Sequence, residues 1–167
     1  MRVVLLGCAG AGKSTLAKRL AAATGAPLIC LDAIWQEGWG PPEVPAFRAT
    51  LAELHAGDAW ISDGNFALAT FDVRLPRTDL IVWLEPPRLL CAFRATRRLF
   101  RPGEPHSLSK LPEVLRFIWG FERINRPRIE AERLKHGPAV RVARLHNLRE
   151  IERFSLPAFP RKSGVVD

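Results

Sequence analysis

The chain has little of what would brace or anchor it from outside its own core. Only three of its 167 residues are cysteines, Cys8, Cys30 and Cys91. They form no C-x-x-C pair and are odd in number, which argues against a disulfide framework and for a reducing cytoplasm. Long apolar runs are missing. The longest uncharged stretch, Leu20 to Leu31, is interrupted by Gly25 and Pro27 and falls well short of the roughly 20 residues of a membrane span. The apolar start ends at Cys8 as a lipoprotein leader would, but Val3 to Leu6 is shorter than the roughly 7–15 residues of a leader's apolar core. No internal repeat is visible. His55, His106 and His136 lack metal-like spacing and read as surface or loop residues.

The composition is that of a globular domain, 47% hydrophobic and 25% charged. The length predicts one domain over residues 1–167. Net charge is +8, unevenly spread: −2 over residues 1–87, +7 over 88–135 and +3 over 136–167. A basic middle third attracts phosphates, on nucleotides or on nucleic acid. The alternative is a set of solvated helix faces.

Strand-like and helix-like segments alternate. Short apolar runs at Arg2–Leu6, Pro27–Leu31, Ala59–Ser62, Asp79–Leu84 and Ala139–Leu145 predict five strands. Helical spacing covers Lys13–Ala23 and the stretch from Val44 to Gly57. Pro86-Pro87 opens a helix running to about Arg101, and a loop spans 102–111. Two further helices follow, separated near Pro127. A last helix begins at Asn147, with Glu150 as its capping-box partner, and the final residues read as a frayed tail. Buried strands separated by helices predict an α/β fold with a parallel sheet covered on both faces. Ligands in such folds sit at the carboxyl ends of the strands, which places Gly7, Asp32, Asp63 and Glu85 along one edge.

Gly7-Cys-Ala-Gly-Ala-Gly-Lys13-Ser14-Thr15 matches G-x-x-x-x-G-K-[ST] between a strand and a helix. Gly7, Ala9, Gly10, Ala11, Gly12 and Thr15 supply a backbone cradle for phosphates. Lys13 reaches the β- and γ-phosphates, and Ser14 offers its hydroxyl to Mg²⁺. Asp63, ending the third strand before Gly64, is the first choice of acidic partner for the metal. Asp32, after the second strand, is placed to bind or deprotonate an acceptor hydroxyl. Each carboxylate has a plain alternative, as a turn former or a helix cap. Glu85 reads as structural.

These segments, with Trp60-Ile-Ser-Asp63-Gly64-Asn65 and Asp79-Leu-Ile-Val-Trp-Leu-Glu85-Pro-Pro-Arg88, resemble the adenylate-kinase-like P-loop kinases. Within them the chain is most similar to the small bacterial subgroup known as DNA topology modulation proteins. The resemblance covers roughly residues 1–155. It implies a three-layer P-loop NTPase fold with strand order 2-3-1-4-5, use of ATP and Mg²⁺, and phosphoryl transfer under a helical basic lid inserted at about 94–128. Arg94, Arg98 and Arg126 are its candidate catalytic arginines, within a group that includes Arg97, Arg101, Arg123 and Arg128. It also implies that the loop at His146-Asn147 runs close to the adenine.

The sequence departs from adenylate kinase where that enzyme's arginines hold the acceptor phosphate: Asp32-Ala-Ile-Trp-Gln-Glu and Asp63-Gly-Asn-Phe-Ala-Leu carry none. Arg48 and Arg74 are the substitutes to consider. Trp35, Trp39 and Phe66 suggest an apolar or ring-stacking acceptor pocket. Two functions are therefore expected: an ATP·Mg²⁺ kinase of a nucleoside, nucleotide or other small hydroxyl compound, or a nucleotide-binding protein with weak ATPase activity that engages nucleic acid or a protein. Either would act as a monomer or homodimer.

Overall fold

Strand β1 (Arg2–Gly7) is almost wholly buried, as its unbroken Val-Val-Leu-Leu run requires. It is the central strand of a five-stranded parallel sheet in the order β2-β3-β1-β4-β5. The others are β2 (Leu28–Cys30), β3 (Trp60–Asp63), β4 (Leu80–Leu84) and β5 (Arg141–Leu145). The computed structural model describes residues 1–35, 40–99 and 111–156. Pairing Leu5 with Asp63, Cys30 with Asp63 and Gly7 with Leu84 sets the register. That register brings Gly7, Asp63 and Glu85 to one edge, with Asp32 just beyond it.

Eight α-helices lie among the described residues. Helix α1 (Lys13–Thr24) packs on β1, β2 and β3. A short α2 (Leu31–Ile34) carries Asp32 in its only turn. Helix α3 (Val44–Leu54) packs on α4 (Ala67–Arg74), and α4 packs on α7 (Arg126–His136). Helix α5 (Arg88–Leu99) packs on α6 (Leu111–Gly120), and α8 (Leu148–Arg153) follows β5. The core between these layers includes Trp60, Trp83, Phe47 and Phe71, each fully buried.

Several sequence expectations change. Helices α2 and α4 were not expected. Pro127 does not separate two helices: α6 runs through a π-helical segment, Phe121–Asn125, into α7. The wider turn sits where a proline would otherwise remove an i→i−4 bond and clash with the preceding turn. The expected loop at 102–111 and the frayed tail fall almost wholly outside the described residues. Asn147 does cap α8, accepting the Glu150 N–H at 2.9 Å, while the Glu150 carboxylate accepts the His146 N–H at 2.6 Å.

His55 is buried rather than on the surface. Its Nδ1 lies 2.7 Å from the Leu51 carbonyl, which requires a proton there. Nε2 is then the acceptor for the Ser62 hydroxyl at 3.0 Å. Arg74, also fully buried, donates to Ser62 Oγ at 3.1 Å. Burial chiefly, and the nearby Arg74 and Arg77 charges, push the His55 imidazole down from 6.5 to about 4. In the unfolded chain the imidazole binds its proton near its ordinary value, so acidification through this window favours unfolding. Stability is expected to fall by up to roughly 3 kcal/mol on this account between pH 7 and pH 4. Denaturant midpoints for the wild type and His55→Gln check it: the variant should lose that part of the pH dependence, and an unchanged profile would contradict it.

Candidate active site

The loop from Gly7 to Thr15 leaves the end of β1 and turns directly into α1. It closes on itself through Ala11 N–H to the Cys8 carbonyl at 3.2 Å. The Lys13 ammonium is folded back onto the loop, donating to the Gly7 carbonyl at 2.9 Å and the Cys8 carbonyl at 3.0 Å. Burial lowers the Lys13 pKa, while the Asp63 and Asp32 charges act the other way. All three groups therefore share one electrostatic site.

Beside the loop opens a cleft of about 760 Å³. Ala9, Gly10, Gly12, Lys13, Ser14 and Thr15 form one wall. Asp32 stands at its exposed margin, its carboxyl raised by the surrounding protein and drawn back by Lys13. Gly64, Asn65 and Phe66 line the same region, and Arg94, Arg97 and Arg98 approach from α5. A Cβ placed on Gly12 would lie 3.5 Å from Arg94 Nη1, so this guanidinium rests against the phosphate loop. At another part of the cleft, Arg19 joins Leu148, Ile151 and Glu152; it is fixed by the carbonyls of Ile151, Glu152 and Phe154.

Not every residue singled out in the sequence reaches this cleft. Gly7 and Ala11 are buried beneath the loop. Asp63 is 6% exposed and sits behind the lining, with a buried Oδ1 that has no hydrogen-bond partner among the described residues. Arg126 is not among the lining residues. It pairs with Glu85 at 2.9 Å and Glu122 at 3.0 Å. Glu85 also takes Arg144 at 2.8 Å and lies 3.3 Å from His146 Nδ1, so it is the hub of a cation cluster. Arg123 and Arg128 are exposed on the π-segment and α7. Arg101, His106 and Trp39 lie outside the described residues.

The two arginines considered for an acceptor phosphate are both engaged elsewhere. Arg48 forms a two-pronged pair with Asp72, at 2.8 and 2.5 Å. Arg74 donates to Thr70 Oγ1, Ser62 Oγ and the carbonyls of Gly64 and Asn65. Trp35 and Phe66 do join, packing with Phe47 at centroid distances of 5.1 to 5.9 Å. Phe66 has φ 35°, the only positive φ outside glycine among the described residues. A bulky residue in that region stores strain of the kind found at ligand sites. Arg97, named within the lid group, lines the cleft; the lining role of Arg19 and the side-chain contacts of Asn65 were not legible from spacing.

The fold is similar to that of several solved kinases. A shikimate kinase from Acinetobacter baumannii, in complex with shikimate, matches with a TM-score of 0.58 at 20% identity, over 90% of this chain and 87% of that one. A sugar kinase from Janibacter sp. HTCC2649 matches with a TM-score of 0.57 at 18% identity, over 91% and 90%. A gluconokinase from Sinorhizobium meliloti 1021 matches with a TM-score of 0.52 at 19% identity, over 90% and 88%. No protein-family model and no curated protein matches the chain. At these identities the likeness is one of fold: an α/β architecture with a five-stranded parallel sheet of order 2-3-1-4-5.

The phosphate loop lies hard against α5. A Cβ on Gly10 (φ +76°) would meet the Cys91 carbonyl oxygen at 2.2 Å, whereas one on Gly25 (φ +72°) meets nothing within 4 Å. Both replacements incur left-handed strain, on the order of 1 kcal/mol, but only the first also clashes with backbone. Gly10→Ala is expected to destabilise by about 2 kcal/mol more than Gly25→Ala, the usual cost of overpacking. Urea unfolding of the two variants measures the difference; equal losses would mean the loop stands clear of α5.

Proposed function

We propose that this chain is a P-loop kinase that transfers the γ-phosphoryl group of ATP to a hydroxyl of a small acceptor. The observation that carries this reading is the convergence of Lys13, Asp32 and Asp63 at one sheet edge beside the phosphate loop. A simple nucleotide-binding module has no need of a second carboxylate at the mouth of the cleft. The resemblance to the adenylate-kinase-like enzymes, and to the DNA topology modulation subgroup within them, rests on the sequence motifs. The similar folds named for shikimate, sugar and gluconate kinases support a small acceptor.

In this reading Lys13 leaves the Gly7 and Cys8 carbonyls for the β- and γ-phosphate oxygens. Ser14 and Asp63 are the residues that would hold Mg²⁺, and the partnerless Asp63 Oδ1 fits a cation. When bound, the ion would neutralise charge on the β- and γ-phosphates. Asp32 orients the acceptor hydroxyl and takes its proton as the new P–O bond forms and the bond to the β-phosphate oxygen breaks. The surrounding protein raises its carboxyl above the ordinary range, which makes the carboxylate a better base. Arg94, Arg97 and Arg98 neutralise the equatorial oxygens of the group in transfer. Phe66, which lines the cleft and packs on Trp35 and the buried Phe47, together with the engagement of Arg48 and Arg74, favours an acceptor with an apolar face over one held by its own phosphate.

Two variants and a substrate panel test this. Lys13→Ala is expected to weaken ATP·Mg²⁺ binding by about 10²-fold, the value of two charge-assisted bonds, with the fold intact. Asp32→Asn should keep ATP affinity within a few-fold and cut acceptor-dependent ADP release by about 10²-fold or more. Calorimetry and an ADP-release assay over nucleosides, sugars and small alcohols give both readings. ADP release that responds to DNA or RNA and to no small hydroxyl compound would replace the kinase with a nucleic-acid-linked ATPase.

A further inference from the structure

Gly7 is held at both of its polar groups by one side chain. Asn65 Oδ1 accepts the Gly7 N–H at 3.1 Å, and Asn65 Nδ2 donates to the Gly7 carbonyl at 3.0 Å. The amide orientation follows from this chemistry, because a carbonyl takes only a donor and an N–H only an acceptor. The same Gly7 carbonyl also receives Lys13 Nζ at 2.9 Å. Gly7 is buried, so its carbonyl has no ready substitute in water. Behind Asn65, the guanidinium of Arg74 binds the Asn65 and Gly64 carbonyls at 2.5 and 3.1 Å, fixing the turn from which the amide projects.

The geometry points to Asn65 as a positioning residue that frees Lys13 for phosphate; this rests on the ATP-binding part of the reading above. With no nucleotide bound, the ammonium shares the Gly7 carbonyl with the Asn65 amide. To reach phosphate oxygens it must give up that carbonyl, and a buried carbonyl left without a donor is costly. Asn65 keeps the carbonyl satisfied throughout, so the departure of Lys13 leaves no orphan. The Oδ1 contact meanwhile ties the first residue of the loop to the end of β3, and the loop keeps its shape while its lysine moves. Asn65 thus acts through Gly7 and Lys13 and needs no contact with the nucleotide.

A residue with this role should matter for ligands that draw Lys13 away and not for those that do not. Calorimetry with ATP·Mg²⁺ and with adenosine, on the wild type and Asn65→Ala, tests it. The variant is expected to bind ATP on the order of 10-fold more weakly, the worth of one neutral hydrogen bond at its upper range. Adenosine affinity should stay within about two-fold, since the nucleoside carries no phosphate. Urea unfolding establishes that the variant is folded. If it is not, Asn65→Leu, which fills the same space without donor or acceptor, takes its place. Unchanged ATP affinity, or ATP and adenosine weakened alike, would overturn the role while leaving the kinase reading standing. Failure of the wild type to bind ATP at all would overturn both.

Discussion

One fully buried guanidinium organises the centre of this molecule. Arg74 lies on α4 with no exposure, and no carboxylate is among its hydrogen-bond partners. Burial lowers its pKa to about 9, and the Asp63 charge opposes the fall, so it stays charged at neutral pH. Such an ion is tolerated only where its donors are satisfied. Arg74 meets that condition with two hydroxyls and two carbonyls, all drawn from β3, the turn after it and α4. The consequences run outward from there. Ser62 accepts from Arg74 and is left to donate to His55, which fixes the histidine as neutral. Gly64 and Asn65 lose their freedom to reorient, and Asn65 in turn pins Gly7. The phosphate loop is thereby tied to the strand that carries Asp63.

A second constraint acts where the loop meets α5. The Cys91 backbone leaves no room for a side chain at Gly10. The loop is thus backed by α5 on one side and by the Asn65 amide on another. Arg94, on the same helix as Cys91, lies beside Gly12. Under the proposed function, phosphate recognition would depend on donors placed before the ligand arrives. Here the shape of the loop comes from backbone packing against α5 and from a side-chain network through Asn65.

What the sequence made legible was whatever depends on local pattern. Runs such as Val3–Leu6 and Ile81–Leu84 are apolar on both faces, as the strands of a covered parallel sheet are. The glycine spacing from Gly7 to Gly12 announces a phosphate loop without help from tertiary structure. The convergence of Lys13, Asp32 and Asp63 follows from strand order, and the resemblance to the adenylate-kinase-like kinases implied that order. What stayed hidden depends on partners far apart in the chain. Helix α4 has eight residues, two of them β-branched, and its cap is a strained Phe66, so no start signal marks it. Arg74 looks like any helix-end cation until Ser62, Gly64 and Asn65 are seen around it. His55 lacks metal spacing, which says nothing about burial. Pro127 breaks helices in general; a π-segment just before it cannot be read from composition.

The basic excess of residues 88–135 shows why net charge alone is a weak guide to ligands. Arg126 and Arg144 converge on Glu85, and Arg133 and Arg144 on Glu130. These pairs knit α7 to the ends of β4 and β5, and Arg144 also lies 4.7 Å over the Trp83 ring. Their charge is matched within the protein and offers little to a polyanion. Arg116, Arg123 and Arg128 are exposed, where a lone charge costs nothing and need mean nothing. Among the described residues, the arginines of this region that line the cleft are Arg94, Arg97 and Arg98, all on α5 and within two turns of the helix. Three cations gathered at one wall of a cleft focus a field on a compact anion far better than on an extended backbone. On the proposed kinase reading, that distribution suits a nucleotide's phosphates better than nucleic acid.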